Sequence, residues 1–463
     1  MQPENLFFGG GAGTTNLHPL VVVFLLIAIP LILFLPRNKA IIPFVIAFFT
    51  IPFAQVVLLG PLHFPVVRIL ILTGLARACF PVKDGKRKFA GGFNKVDQVV
   101  VLWAFAAYLV VSAQWMQGQA MIKFTGDLLD TLGGYVAVRF LVSDREAVGN
   151  ALKGLAVVCV TQGICMVSEH FTYHNVFAVL GENEPTIREG HVRAEGALGT
   201  LFGGTFAGVS IPMFLSLWPE KKLRKVIYIG VAGATAMCWA SHASTSIAAF
   251  GASLLALCFW PIRKQMRLVR WGIVATLVGL HMVMHGPVWS LLEKIDLGGG
   301  SSNYHRYMLV DNCIRHFGAW WFLGTTHYGE WGFDMWDLCN QFVAVALTGG
   351  LISLVFFIMI YSRGFSMIGK ARKRVSGNFS LEWSLWAFGA VLFADVVASF
   401  GINYMIQLQT ELFLSLACIS VISLNAVREK ARTVAARETV LLSPQVSMAG
   451  AELLAAEHQR TGT

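Results

Sequence analysis

The sequence predicts an all-α, polytopic transmembrane helix bundle, and three observations carry that prediction. Hydrophobic residues make up 56% of the 463 and charged residues only 13%, against about a quarter charged in soluble domains. The apolar residues fall into about thirteen stretches of roughly twenty residues, the length that crosses a hydrocarbon core as helix. A single long hydrophilic interruption, 286–336, divides them into two groups. Helices follow rather than strands because a helix satisfies its own backbone polar groups in lipid.

In chain order the spans read as 19–36, 40–59, 64–80, 96–114, 119–141, 149–168, 197–218, 226–241, 243–260, 269–285, 337–361, 382–402 and 404–426. The third and fifth are amphipathic, since they carry Arg68, Arg77, Lys123, Asp127, Asp130 and Arg139. Four segments result. Residues 1–285 form an N-terminal bundle of about ten spans with an outer loop near 169–196. Residues 286–336 form the large extracytoplasmic loop, expected to contain short helices. Residues 337–427 are the C-terminal transmembrane helices, and 428–463 is a cytoplasmic tail expected to be flexible. No basic n-region precedes the first span, so no removable signal peptide is expected.

The net charge of +10 would suit nucleic acid, but the basic residues sit in the short linkers 37–39, 83–95, 221–225, 263–270 and 363–374. Lys and Arg concentrate in cytoplasmic loops. These five linkers alternate consistently with outer placement of 169–196 and 286–336, so the charge orients the chain in a bilayer and no nucleic-acid partner is expected. The eight cysteines are scattered through apolar runs with no paired ligand spacing. Only Cys313 and Cys339 lie in or beside the large loop, where a disulfide would require an oxidising compartment.

Three outer stretches hold the candidate chemistry. In the first, Arg188 and Arg193 stand beside Gly196 and Gly199 at the entry to a span. A guanidinium is permanently charged, and its planar fork suits phosphate oxygens; a snorkelling arginine is the competing reading. In the second, a Gly/Ser turn at 298–302 leads into a helix carrying Tyr304, His305, Arg306 and Asp311, where Asn303 and Tyr304 would equally serve as cap. The third runs from Trp320 to Asn340 and crowds aromatics against Glu330, Asp334 and Asp337. There Asp337 is either a base for a hydroxyl or the cap of the next helix. His305 and His327 are the alternative bases.

Taken in order, these motifs resemble the O-antigen ligase and O-antigen polymerase superfamily of bacterial envelope glycosyltransferases. The likeness lies in Arg193-Ala-x-Gly196-x-x-Gly199 before a span, Ser241-x-x-Ser244-Thr245-Ser246 opening another, and Arg306 with Leu309 in the large loop. Phe322-Leu-Gly324 and Asp337-x-x-Asn340-Gln followed by Gly349-Gly350 close it. It covers roughly 190–360. The resemblance implies transfer of glycan from a polyprenyl diphosphate-linked donor to a glycan or glycolipid acceptor on the outer face of the inner membrane, with no metal, nucleotide or other cofactor. Other polysaccharide assembly proteins are implied partners. One departure stands out: ligases of the family carry a His directly before the Asn of the last motif, where this chain has Cys339.

On that reading Arg193 and Arg306, with Arg188 as a third candidate, hold the donor diphosphate. Asp337, His305 or His327 assists the acceptor hydroxyl, and Tyr304 and Asn340 contact substrate. No close acidic triplet for a divalent metal occurs in the outer loop, and the His281/His285 pair lies in an apolar span without a nearby carboxylate. Two other classes remain: a transporter or flippase of lipid-linked glycans, for which Lys123, Asp127, Asp130 and Asp395 would mark the path, and a non-catalytic assembly subunit.

Overall fold

The computed structural model describes residues 15–59, 62–80, 88–188, 190–294 and 302–429. The expected Gly/Ser turn, apart from its last residue, and the expected flexible tail beyond Glu429 lie outside the described residues.

Helices α1 (Pro19–Phe34) and α2 (Arg37–Thr50) open the chain. The second expected span, 40–59, is cut short. Its last part forms β1 (Val56–Leu59), paired antiparallel with β2 (Leu62–Pro65), because Pro52 cannot continue the helical hydrogen-bond ladder. Helix α3 (Val66–Cys79) follows, and then α4 (Lys95–Trp115), which begins at a reciprocal cap. Asn94 accepts from the Val96 and Asp97 amides while Asp97 accepts from Asn94 N. The amphipathic fifth span is broken into α5 (Gly118–Leu128) and α6 (Gly134–Leu141) by a π-helical turn at Leu129–Gly133, where Asp130 takes a two-pronged bond from Arg68 at 2.7 and 2.6 Å.

Asp144 caps α7 (Arg145–Thr172), whose end leads to the short hairpin of β3 (Thr186–Arg188) and β4 (His191–Arg193). Helices α8 (Thr200–Leu215), α9 (Arg224–Ser241), α10 (Ser244–Cys258) and α11 (Met266–Val283) come next. The large loop does contain short helices: α12 (Leu291–Lys294), α13 (Ser302–Arg315) and α14 (Phe317–Trp320). The chain ends with α15 (Gln341–Arg374), α16 (Phe379–Ser399) and α17 (Ile406–Glu429).

Six of these helices are long and apolar enough to cross a bilayer, and α1, α8 and α10 are shorter apolar helices. The fold is therefore an all-α polytopic bundle. Its core is a continuous apolar cluster running from Val21 to Ala426, in which α7 packs on α9 and α2, α8 on α9 and α10, and α16 on α10 and α15. Around it, large apolar side chains such as Leu20, Leu109, Leu268 and Trp271 face outward, as a hydrocarbon solvent demands. Helix α11 stands apart with no buried residue.

The helices alternate in direction, so the described parts of the basic linkers gather at one end. There Arg145 pairs with Glu220 at 2.8 Å, and Arg263 with Glu382 at 3.0 Å. At the opposite end lie the β3–β4 hairpin, the α9–α10 turn, helix α13 and the start of α15.

Candidate functional site

The start of α8 is anchored by a clamp. The Glu169 carboxylate, on the last turn of α7, accepts from the amides of Glu195 and Gly196 at 2.7 and 3.0 Å. Gln162 accepts from Ala197 N at 3.0 Å, and Glu195 from Thr200 N at 2.9 Å. Gly196 has φ +60°, and a Cβ there would lie 2.9 Å from Gln162 Oε1, so the glycine of that motif is required both by conformation and by space. The clamp fixes β4, with Ala194 N bonded to Ala240 O at 3.1 Å at the end of α9.

Arg193 closes β4 beside three histidines. The His242 ring stacks on His170 and His191, with centroids 5.2 and 5.0 Å apart. Burial first, then the neighbouring His170, His191 and Arg193, hold His242 below its ordinary value, so at neutral pH that ring adds no positive charge. Arg188 ends β3, paired in register with His191. Both arginines are half-buried and engaged.

Arg306 lies on the far side of the α9–α10 turn. Its Nη1 donates to Asn303 Oδ1 at 2.9 Å, and its Nη2 to Thr245 Oγ1 at 3.0 Å and toward Gly401 O at 3.5 Å. Its Nε is buried without a partner. Thr245 is in the first turn of α10, so Arg193 and Arg306 flank one turn, 240–245, at the same end of the bundle. The N-terminus of α10 also presents its own partial positive charge there.

Next to Arg306 on α13, His305 Nε2 faces the Asp337 backbone carbonyl at 2.8 Å. A carbonyl only accepts, so Nε2 carries the proton and the neutral ring keeps its lone pair on Nδ1. His305, Asp337 and Cys339 bring their donor atoms within 4.8 Å of one another. Burial first, with Asp337 adding and Arg306 opposing, pushes the Cys339 thiol up to about 11. Three such side chains would hold a metal of the zinc type. Here, however, the Arg306 guanidinium lies against the same thiol, and a fixed cation at that distance opposes a second one. The set is better matched to proton handling beside an anion.

The remaining expected residues are placed differently. Asn340 is fully buried and is itself the cap of α15: its Oδ1 accepts from Phe342 N and Val343 N at 3.0 and 3.1 Å. The helix thus starts four residues later than expected, and the competing role weighed for Asp337 falls to Asn340. The Asp337 side chain is exposed. Tyr304 is exposed, with its ring 6.1 Å from that of Tyr307. His327 is exposed and faces Glu330 at 3.5 Å, and its bonds among the described residues do not reach Arg306, His305 or Asp337. Cys313 and Cys339 are free thiols, so no disulfide ties the loop.

The loop is held instead by backbone. Helix α15 is broken at Gly350, φ +67°, where Leu351 N donates to Trp321 O at 2.8 Å and Thr325 N donates to Leu347 O at 2.7 Å. A Cβ at Gly350 would come within 2.6 Å of Phe322 O. At this break the Phe322-Leu-Gly324 turn docks against Gly349-Gly350. Sequence reasoning missed Thr245 as a partner of Arg306, although it had marked the serine–threonine run containing it, and it had no signal for Gly401. No protein-family model matches the chain, and no curated protein matches it.

Proposed function

We propose that this chain is a metal-independent, inverting glycosyltransferase of the inner membrane that joins glycan from a polyprenyl diphosphate-linked donor to an acceptor glycan on the extracytoplasmic face, in the manner of an O-antigen or exopolysaccharide polymerase or ligase. The observation that carries the reading is the seat of Arg306, a guanidinium held by Asn303 and Thr245 with its Nε left over, beside a His305 ring whose Nδ1 is free to accept a proton.

A diphosphate needs little acid assistance to leave. It needs fixed positive charge where negative charge grows, which Arg306 supplies, with Arg193 and Arg188 across the α9–α10 turn. His305 Nδ1 takes the acceptor proton as the hydroxyl attacks the anomeric carbon from the face opposite the departing diphosphate. Asp337 borders the imidazole and stabilises it once charged. His305 thereby does from α13 what the family's ligases assign to the position held here by Cys339. The preference of Lys and Arg for cytoplasmic loops supports a cytoplasmic side for the other end, where the basic linkers lie.

Reconstitution with a polyprenyl diphosphate-linked oligosaccharide and sizing of the product tests the reading. A ladder means polymerisation and a single shifted band means ligation; donor movement without bond formation rejects transfer. One observation favours that last outcome, carriage of a lipid-linked glycan. Asp395 and Glu411 are buried in the bundle, each with one carboxylate oxygen lacking a partner, and Glu411 is otherwise bonded to Ser210 at 2.8 Å. Intramembrane carboxyls of this kind mark transport paths.

A further inference from the structure

At the end of the bundle opposite Arg306, a cavity of about 330 Å3 opens between the start of α4, the last turns of α15 and the end of α17. Lys95, Arg363, Lys370 and Arg374 line it, and no carboxylate among the described residues does. Positions 363, 370 and 374 return to one stripe of α15 at helical spacing, so three like charges are stacked on the wall of a single hollow. None of the four has a salt bridge among the described residues, whereas Arg372, between two of them in sequence, pairs with Glu382 at 3.5 Å. Such a cluster repels itself unless an anion enters it.

A second, independent feature points to a ligand. Ser423 lines the same cavity, is only 8% exposed, and its hydroxyl has no hydrogen-bond partner among the described residues. Its neighbour Ser420 is already engaged, accepting from Asn94 at 3.1 Å and donating to Leu416 O at 2.9 Å. A buried hydroxyl that donates to nothing is costly; a phosphate oxygen drawn in by the surrounding cations would accept from it. Met367, Leu424 and Val427 add an apolar wall near the ends of the helices.

We propose that this cavity binds a phosphate ester, with the headgroup of an anionic phospholipid as its occupant. Basic pockets between transmembrane helices on the cytoplasmic side bind such headgroups by charge. The proposal is independent of the transferase reading, since it concerns the other end of the bundle and is tested without turnover.

The test uses the full chain, purified and delipidated in neutral detergent, titrated with phosphatidylglycerol, phosphatidylcholine or inorganic phosphate while thermal unfolding and native mass are followed. Phosphatidylglycerol should bind saturably and at least about tenfold more tightly than phosphatidylcholine. Arg363→Gln, Lys370→Gln and Arg374→Gln should each weaken it about fivefold, and Ser423→Ala should weaken it as well. Arg267→Gln, outside the cavity, should leave it unchanged. Saturable binding of inorganic phosphate with the same variant sensitivity would support the site and assign it to a soluble phosphate ester; phosphate without effect assigns it to the lipid. Equal binding of the two phospholipids, or anionic binding indifferent to all four cavity variants, overturns the proposal. The three charged positions are exposed, so their single variants are expected to fold.

Discussion

The Arg306 guanidinium donates to the Thr245 hydroxyl at 3.0 Å, joining a helix of the large loop to the first turn of a helix in the bundle, 61 residues away in sequence. With Asn303 and Gly401 on its other sides, the charge is held in one place before any ligand arrives. Preorganised charge of this kind acts on a transition state without reorganising.

Arg306→Ala should therefore lower turnover by roughly 10²–10³. Arg306→Lys should recover little of it, because an ammonium cannot span Asn303 and Thr245 together. Thr245→Val keeps the charge and frees its position, so a loss of about tenfold is expected, the cost of one misplaced contact. Rates in proteoliposomes with a polyprenyl diphosphate-linked donor measure all three. Full activity in Arg306→Ala would remove the guanidinium from the mechanism.

The two loop histidines should separate cleanly. His305→Gln removes the proposed base beside Asp337, and a loss of about 10²–10⁴ is expected. His327→Gln removes a surface ring whose ionic partner among the described residues is Glu330 and should change the rate by less than about twofold, since surface substitutions of this kind perturb little.

The all-helical bundle was legible in the sequence because apolar runs of spanning length admit few alternatives. Residues 51–59 do not continue the expected span because Val56 to Leu59 are uniformly apolar, and a short apolar run has no period to tell strand from helix; only Pro52 marks the break. The start of α15 was misplaced for a related reason. Asp337 and Asn340 are both good caps, and only the backbone conformation decides between them. At the site, the residue types were readable, but their partners were not. Thr245 and Gly401 lie 61 and 95 positions from Arg306, and no local pattern encodes such a contact.

The break at Gly350 offers a test of how the loop is positioned. Gly350→Ala would force a side chain into φ +67° and toward Phe322 O, a strain on the order of 1–3 kcal/mol. Both backbone bonds between α15 and the 321–325 turn should loosen, giving faster hydrogen exchange at Leu351 and Thr325 and a lower Tm. Gly369→Ala, on the same helix with open space around it, should leave exchange and Tm unchanged or slightly improved. Identical behaviour of the two variants would mean that the loop is not held by this break.

The segment before β3 should weaken as pH rises. Burial, with help from Glu195, lifts the Glu182 carboxyl from its ordinary 4.5 to about 7, against an opposing bond from the Ala54 backbone. Between those two values the folded chain binds more protons than the unfolded chain, so stability falls as pH increases through about 4.5 to 7 and is lowest above that window. Glu182 keeps some contact with solvent, which screens the effect; a Tm lower by roughly 1–2 °C at pH 8 than at pH 5.5 is expected from this group. Glu182→Gln has no proton to lose and should flatten that part of the profile, while Glu184→Gln, whose carboxylate meets the exposed His174 and accepts from Asn175 N at 2.6 Å, should not. Thermal unfolding of the three proteins at both pH values decides it: a profile as steep in Glu182→Gln as in the parent would show that this carboxyl does not couple the segment before β3 to the turn at Ala54.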